Sequence, residues 1–158
     1  MDAVQAQMAQ LMATEAHGWC AMRGLSRARS LTLVLYVNAW GESKWKPDAK
    51  QPGGLGGRGL FQCDVIGGLG KVWMSQGFPE SDLYNPTINT RLILWEAGRS
   101  KSFVESLTNG TIGQAIHDFV YYVERPYDKP GDTAERQAFA KAFAKRDDIN
   151  SILCRTFG

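Results

Sequence analysis

The sequence predicts a mainly α-helical fold of the α+β type, with a small β-hairpin or loop element. Three observations support this prediction. The chain has 158 residues, of which 44% are hydrophobic and 22% charged, as in a soluble globular protein with a sizeable core. Apolar residues recur at helical spacing, and no run alternates convincingly with the period of a strand. The segment 44–58 contains two prolines and four glycines. We expect one domain spanning residues 1–158.

The first half of the sequence predicts three helices and one irregular segment. Residues 2–17 are rich in Ala, Gln and Met, which favour helix. The run 31–39 is apolar nearly all round, which is typical of a central, buried helix, and it leads into Gly41-Glu42-Ser43. The proline and glycine content predicts at most a small hairpin near residues 44–64. A short helix is expected over 67–75.

The second half carries explicit helix boundaries. Asn85 and Pro86 form an N-cap and first helical position, and Gly98 is expected to end that helix. A capping box at 111–114 opens an amphipathic helix that is expected to run to Val123 and to be broken by prolines. Thr133 is expected to cap the last helix.

Composition excludes several classes of function. A net charge of only +2 argues against a dense basic face, so no nucleic-acid partner is expected. The longest apolar run, 31–40, has about half the roughly 20 residues that cross a bilayer, so no membrane insertion is expected. The N-terminus has no basic and apolar signal-peptide pattern, so no export signal is expected.

Metal and thiol chemistry are also poorly supported. The three cysteines, Cys20, Cys63 and Cys154, lack the spacing of a zinc site and are too few and odd in number for a disulfide framework. The two histidines, His17 and His117, stand 100 residues apart and form no metal-binding motif. The sequence therefore predicts no metal and no organic cofactor.

Glu42 is the strongest candidate for a chemical role. It lies two residues after Trp40 and three before Trp45. Apolar surroundings disfavour the charged form of a carboxyl and raise its pKa, which suits a general acid in glycosidic cleavage. The alternative from composition alone is a solvated glutamate at a helix end beside two unrelated core tryptophans.

Several motifs in order resemble a known family. NAWGESKWKPDA is followed, seventeen residues after the glutamate, by GLFQ, which resembles the ESGxxPxA and GLxQ motifs of the lysozyme-like superfamily. QGFP, NPTINTRLILWEA and YYVERP follow, and resemble the later segments of the phage tail lysozyme family. The resemblance runs from about residue 30 to 145, and it implies a mostly α fold related to goose-type lysozymes and lytic transglycosylases.

The resemblance also implies an activity and its residues. It implies cleavage of the β-1,4 bond between N-acetylmuramic acid and N-acetylglucosamine in bacterial peptidoglycan, with Glu42 as general acid. Ser43, Gln62 and Tyr122 are the expected substrate-binding residues. Three departures from the family pattern are Lys44 where glycine is common, Cys63 where an aromatic is common, and Val123 directly before the ERP sequence.

The sequence defines the identity of a second catalytic carboxylate less clearly. Asp64 is the expected catalytic helper. Asp48, Glu96 and Glu124 are the alternatives, although Glu124 and Arg125 are expected to form a structural pair. The resemblance also implies that one glutamate can suffice, with water or the 6-hydroxyl of the sugar attacking, so hydrolysis and 1,6-anhydro ring closure both stay open.

The function predicted from the sequence is a peptidoglycan-degrading glycosidase of a virion, such as a tail component. Other virion or tail proteins are its possible partners, and the virion or the cytoplasm of an infected cell its expected location. The alternative is a non-catalytic lysozyme-fold module that binds the wall or serves assembly. A third and lower-ranked possibility is a glycosidase whose substrate is chitin.

Overall fold

The computed structural model describes residues 1–126 and 128–158, and this part of the chain forms eight α-helices. Two shorter elements accompany them, a 3-10 helix, Glu80–Tyr84, and a turn of π-helix, Phe119–Glu124. The α-helices in chain order are α1 Ala3–Met22, α2 Ala28–Ser43, α3 Leu69–Ser75, α4 Pro86–Arg99, α5 Lys101–Asn109, α6 Ile112–Asp118, α7 Lys129–Phe143 and α8 Asp147–Phe157.

Helix α2 is the central element, as its apolar sequence predicts. It packs against α1 on one side and α7 on the other, and it also contacts α6 and α8. One hydrophobic cluster extends from Met8 on α1 to Leu153 on α8 and includes most of the buried side chains of α2. The mainly helical prediction is confirmed.

The end of α2 is fixed by two residues with left-handed backbone. Lys44 and Trp45 have φ of 54° and 60°, a region that residues other than glycine seldom occupy. Trp45 thereby folds back onto α2, where its indole Nε1 donates to the Tyr36 carbonyl at 2.8 Å. Glu42 is left in the last turn of α2, just before the chain enters the irregular segment.

The predicted β-hairpin near residues 44–64 is not confirmed. Lys50 and Arg58 form an isolated antiparallel bridge, and the described residues contain no strand. Pro47 and Pro52 lack the amide hydrogens that a ladder needs, and the glycines between them and Arg58 favour turns. The segment returns on itself like a hairpin but remains a loop.

This loop is held in place by buried polar contacts. The side chain of Asn89 on α4 accepts from the Phe61 amide at 2.8 Å and donates to the carbonyls of Arg58 and Leu83 at 2.9 Å each. The Arg58 guanidinium pairs with Glu80 at 2.6 Å. Gly59 has φ of 76°, and a Cβ there would overlap the Leu83 carbonyl, so only glycine fits.

Several predicted helix boundaries are wrong. Helix α4 passes Gly98 and ends at Arg99, with Ser100 as the N-cap of a helix, α5, that the sequence analysis did not identify. Thr133 lies inside α7, whose N-cap is Asp128, and Pro130 is in its first turn, where the missing amide hydrogen costs nothing. A further helix, α8, closes the core.

The capping predictions at two other helix starts are confirmed. The Asn85 side chain accepts from the amides of Thr87 and Ile88, and Thr111 and Gln114 form the reciprocal capping box. No helix among the described residues is long and apolar enough to cross a membrane.

Candidate active site

A cavity of about 550 Å³ opens between the end of α2, the loop and the π-helical turn. Glu42 lies in its wall. The other walls are formed by residues 49–52, 61–64 and 68–69 of the loop and of the start of α3, by Ile93 of α4, and by residues 123–126.

Glu42 is held by an ion pair with Arg136 of α7. Arg136 Nη2 donates to Glu42 Oε1 at 2.9 Å, and the side chain of Arg136 is only 3% exposed, against 24% for that of Glu42. The guanidinium crosses α2 directly over Gly41, where a Cβ would overlap it. Glycine at this helix position is therefore what allows Arg136 to reach Glu42.

The pKa of Glu42 is raised above its usual value. Burial is the main cause and outweighs the opposing effect of Arg136, while the negative charges of Asp132 and Glu135 add to the rise. A carboxyl of this kind retains its proton at higher pH than a solvated glutamate, so it can act as a general acid.

The two indoles that flank Glu42 in the sequence pack with the aromatic core and not around the cavity. Trp40 and Trp45 pack edge to face, and both contact Phe143, on the core side of α2. Neither lines the cavity, where Ile93 and Phe61 are among the apolar neighbours instead. The expected rise in the pKa of Glu42 is present, although neither indole faces the cavity that Glu42 lines.

Gln62 and Asp64 lie in the same cavity as Glu42. Gln62 has φ of 46°, and its Nε2 donates to the carbonyls of Gly59 at 2.8 Å and Ala49 at 3.2 Å, so its amide closes the loop. Asp64 Oδ1 accepts from the Ile66 amide at 2.7 Å. The sequence placed these three residues together, and the fold brings them together.

Ser43 and Tyr122 lie elsewhere. The Ser43 hydroxyl is buried and donates to the Ala39 carbonyl at 3.0 Å within α2. The Tyr122 side chain is 47% exposed and does not line the cavity, although the next two residues do. Neither residue lines the cavity that Glu42 lines. Substrate binding by Ser43 or Tyr122 remains a prediction.

Glu124 also lines the cavity, and its expected ion pair with Arg125 is not formed. Arg125, its expected partner, has φ of 54° and pairs instead with Glu96, at 3.4 Å between Nη2 and Oε1. Both carboxyl oxygens of Glu124 are inaccessible to solvent and have no hydrogen-bond partner. Burial, followed by the negative charge of Glu42, raises the pKa of Glu124 well above its usual value.

The placement of Glu124 depends on local backbone geometry. The π-helical turn carries one more residue per hydrogen-bonded ring than an α-helix, and such turns occur often at functional sites. Arg136 is also missing from the sequence-based site. For Glu124, the available sequence signal was the ERP motif that contains it. For Arg136, the available signal was Gly41, the glycine inside α2 over which its guanidinium passes.

Cys63 completes the cavity wall without nucleophilic character. Burial, with a smaller contribution from Glu42, raises the pKa of its thiol to about 12, so the thiol is neutral at physiological pH. The described residues contain no group of three or more His, Cys, Asp or Glu side chains that could hold a metal ion.

One comparison with known proteins gives a match. The family model for phage tail lysozyme matches residues 34–146, a range that contains Glu42, Gln62, Asp64, Glu124 and Arg136. No curated protein and no solved structure shows significant similarity to the chain. Because the matched range covers most of the sequence, the chain belongs to the phage tail lysozyme family.

Proposed function

We propose that the protein is a peptidoglycan-degrading glycosidase that cleaves the β-1,4 bond between N-acetylmuramic acid and N-acetylglucosamine, with Glu42 as general acid. The observation that carries the proposal is a half-buried carboxyl of raised pKa in the wall of an open cavity, inside the range matched by the family. A solvated surface glutamate would have neither the cavity nor the shifted pKa.

The proposed reaction begins with proton transfer from Glu42 to the bridging oxygen, as positive charge develops on the departing sugar. The Glu42 carboxylate formed in this step is stabilised by the hydrogen bond from Arg136. Water then attacks the sugar, or its own 6-hydroxyl closes a 1,6-anhydro ring. Asp64, which also lines the cavity, is the proposed helper for the attacking group.

Family membership supports the proposed substrate and setting. We propose peptidoglycan as the polymer and a virion, with tail proteins as neighbours, as the place where the protein works. We also propose that residues 1–158 act as one domain, because a single hydrophobic cluster joins α1 to α8.

Mass spectrometry of soluble fragments released from purified peptidoglycan tests the proposal. The wild-type protein is expected to release muropeptides, and Glu42→Gln, which keeps the shape of the side chain, is expected to release at least about a hundredfold less. Glu105→Gln serves as the matched control, because Glu105 is an exposed glutamate on α5 outside the cavity.

The products distinguish the remaining alternatives. Reducing ends would identify hydrolysis, and 1,6-anhydro ends would identify a transglycosylase. Near-normal release by Glu42→Gln would refute the role of Glu42. Binding to insoluble peptidoglycan without release by any folded variant would favour a non-catalytic wall-binding module.

A further inference from the structure

Two cationic side chains line the cavity that holds Glu42, and the chain itself leaves their charge incompletely balanced. Lys50 belongs to the loop, and Arg125 directly follows the π-helical turn. We propose that Lys50 and Arg125 bind carboxylates of the peptides attached to N-acetylmuramic acid, so that the site selects an anionic, peptide-bearing glycan over a neutral one such as chitin. This inference rests on the proposed function and names the part of the substrate that these two side chains recognise.

Lys50 is a cation without a counter-ion in the described part of the chain. The residue is exposed, and its ammonium group forms no ion pair with any described carboxylate. Its structural role belongs to its backbone, which pairs with that of Arg58 in the isolated bridge. The ammonium group is therefore available to an anionic group of the substrate, and the side chain can be changed without breaking an ion pair of the fold.

Arg125 has a counter-ion that it must share. Glu96 Oε1 lies 3.4 Å from Arg125 Nη2, and Glu96 Oε2 lies 3.4 Å from Arg99 Nη1. One carboxylate thus faces two guanidinium groups, which leaves a surplus of positive charge beside the cavity. The Arg125 side chain is 60% exposed, and its guanidinium has more N–H donors than the contact to Glu96 uses. It can therefore bind a further carboxylate through two parallel hydrogen bonds.

The carboxyl groups of the cavity do not cancel these two charges. Glu42 is paired with Arg136, and both oxygens of Glu124 are inaccessible to solvent. Burial also raises the pKa of Glu124 well above its usual value, which disfavours its ionised form. Asp64 is the remaining carboxylate among the residues that line the cavity, and it stands against two cations. The surplus of positive charge is largest when Glu42 holds the proton that the proposed reaction needs.

The proposed substrate supplies the matching charge. The lactyl group of N-acetylmuramic acid is joined to a short peptide with free carboxylates, whereas chitin consists of N-acetylglucosamine and is neutral. Carboxylate and phosphate both suit lysine and arginine, and other wall polymers contain phosphate. The peptide is the better match, because it is attached to the sugar whose glycosidic bond would lie next to Glu42. Complementary charge of this kind favours the correct partner over a neutral competitor.

Binding of the Glu42→Gln variant to insoluble, phosphate-free peptidoglycan tests the inference without cleavage of the polymer. One portion of the peptidoglycan is treated with a carbodiimide and ammonia, which convert its carboxylates to neutral amides. Glu42→Gln is expected to bind the native polymer about three- to tenfold more tightly than the amidated polymer, as two exposed charge pairs would contribute. Adding Lys50→Gln or Arg125→Gln should remove part of this preference, and adding both should remove most of it. Binding to the amidated polymer should not change.

Matched variants and salt complete the test. Lys141→Gln, at an exposed lysine of α7 outside the cavity, should leave the preference unchanged. Lys50→Arg and Arg125→Lys keep the charge and should retain it. Raising the salt concentration from about 0.1 M to 1 M should weaken binding to the native polymer far more than binding to the amidated one. Equal binding of both polymers by Glu42→Gln, an equal loss in Lys141→Gln, or a preference seen only when phosphate polymers are present would overturn the inference.

The binding measurement and the release assay separate the inference from the proposed function. If the wild-type protein releases no fragments, the glycosidase proposal fails, while binding still decides whether the two cations recognise carboxylates. If fragments are released but native and amidated peptidoglycan are bound equally, the glycosidase proposal stands and the inference fails. If Arg125→Gln does not fold, Lys50→Gln decides the matter, because the fold does not use the charge of Lys50.

Discussion

The two ends of α2 have opposite relations to their surroundings. At its N-terminal end, the buried Thr32 hydroxyl donates to the Ala28 carbonyl at 2.8 Å, and in the middle of the helix Tyr36 donates its hydroxyl hydrogen to the Ala9 carbonyl at 2.8 Å. At the cavity end, Glu124 and Arg136 leave buried polar atoms without partners. Folded proteins pair nearly all such groups, so an exception calls for an explanation.

Backbone strain shows the same contrast. The non-glycine residues with positive φ in the described chain are Lys44, Trp45, Gln62 and Arg125, and all four line the cavity or follow Glu42 within three residues. Residues in this region cost free energy and persist only where the surrounding structure enforces them. One end of α2 is thus built for stability, whereas the other holds backbone strain and unpaired polar atoms where chemistry is proposed.

The largest expected effect on stability comes from the paired end. Leu31 is fully buried on α2, eleven residues before Glu42, which is about 16 Å along the helix. Leu31→Ala should lower the free energy of unfolding by about 2–5 kcal/mol, because it removes buried methyl groups and leaves a cavity. Fragment release per folded molecule should not change.

Urea unfolding and a release assay well below the unfolding midpoint measure these two quantities. Leu33→Ala is the matched control, because Leu33 is only partly buried on the same helix and should cost about half as much. A folded Leu31→Ala variant with reduced release would show that the two ends of α2 are coupled.

The second-largest effect is expected at Gly41, the position where Arg136 of α7 crosses α2 to reach Glu42. Gly41→Ala would place a Cβ in the space of the Arg136 guanidinium and displace it from Glu42. We expect at least about a tenfold loss of fragment release, and about 2–4 kcal/mol of destabilisation, because a buried ion pair is broken. Gly18→Ala is the control, since Gly18 lies inside α1 with open space around it and should gain about 0.5–1 kcal/mol.

Urea unfolding and the release assay again give both values. Wild-type release by Gly41→Ala would mean that the contact between Arg136 and Glu42 is dispensable. An equal response of the two glycine variants would mean that helix propensity alone, and not the approach of Arg136, governs position 41.

The same contrast explains what the sequence could predict. Glu42, Gln62 and Asp64 lie within 23 consecutive residues, so local motifs were enough to place them in one cavity. Arg136 reaches Glu42 across 94 residues, and nothing local indicates that α7 crosses α2 over Gly41. Such a contact depends on helix packing, which a single sequence does not specify.

Glu124 was misjudged for a different reason. Its neighbour Arg125 offers an obvious ionic partner in the sequence, but the left-handed backbone of Arg125 directs that side chain to Glu96. The small hairpin is not confirmed for a similar reason, because turn-forming residues predict a reversal of the chain but not how many hydrogen bonds the two arms will share. Helix periodicity and capping, by contrast, are local and were largely predictable.

The smallest effect is expected from removing the buried, unpaired carboxyl of Glu124 at the cavity end of α2. Glu124→Met removes a buried carboxyl that has no hydrogen-bond partner and should raise the free energy of unfolding by about 1–3 kcal/mol at neutral pH. The gain should depend on pH. Because the pKa of Glu124 is raised in the folded state, the folded chain binds more protons than the unfolded chain once pH exceeds the ordinary value of 4.5.

Wild-type stability therefore falls as pH rises above about 4.5, and the fall continues until the folded-state pKa of Glu124 is passed. Glu124→Met should show a shallower slope, the remainder arising from Glu42, whose pKa is raised for the same main reason. Urea unfolding across this pH range measures both slopes, with Glu105→Met as an exposed control. Parallel slopes would show that Glu124 does not hold a proton in the folded protein. A stabilised variant with reduced fragment release would instead show that the unpaired carboxyl is retained at a cost in stability because it serves the reaction.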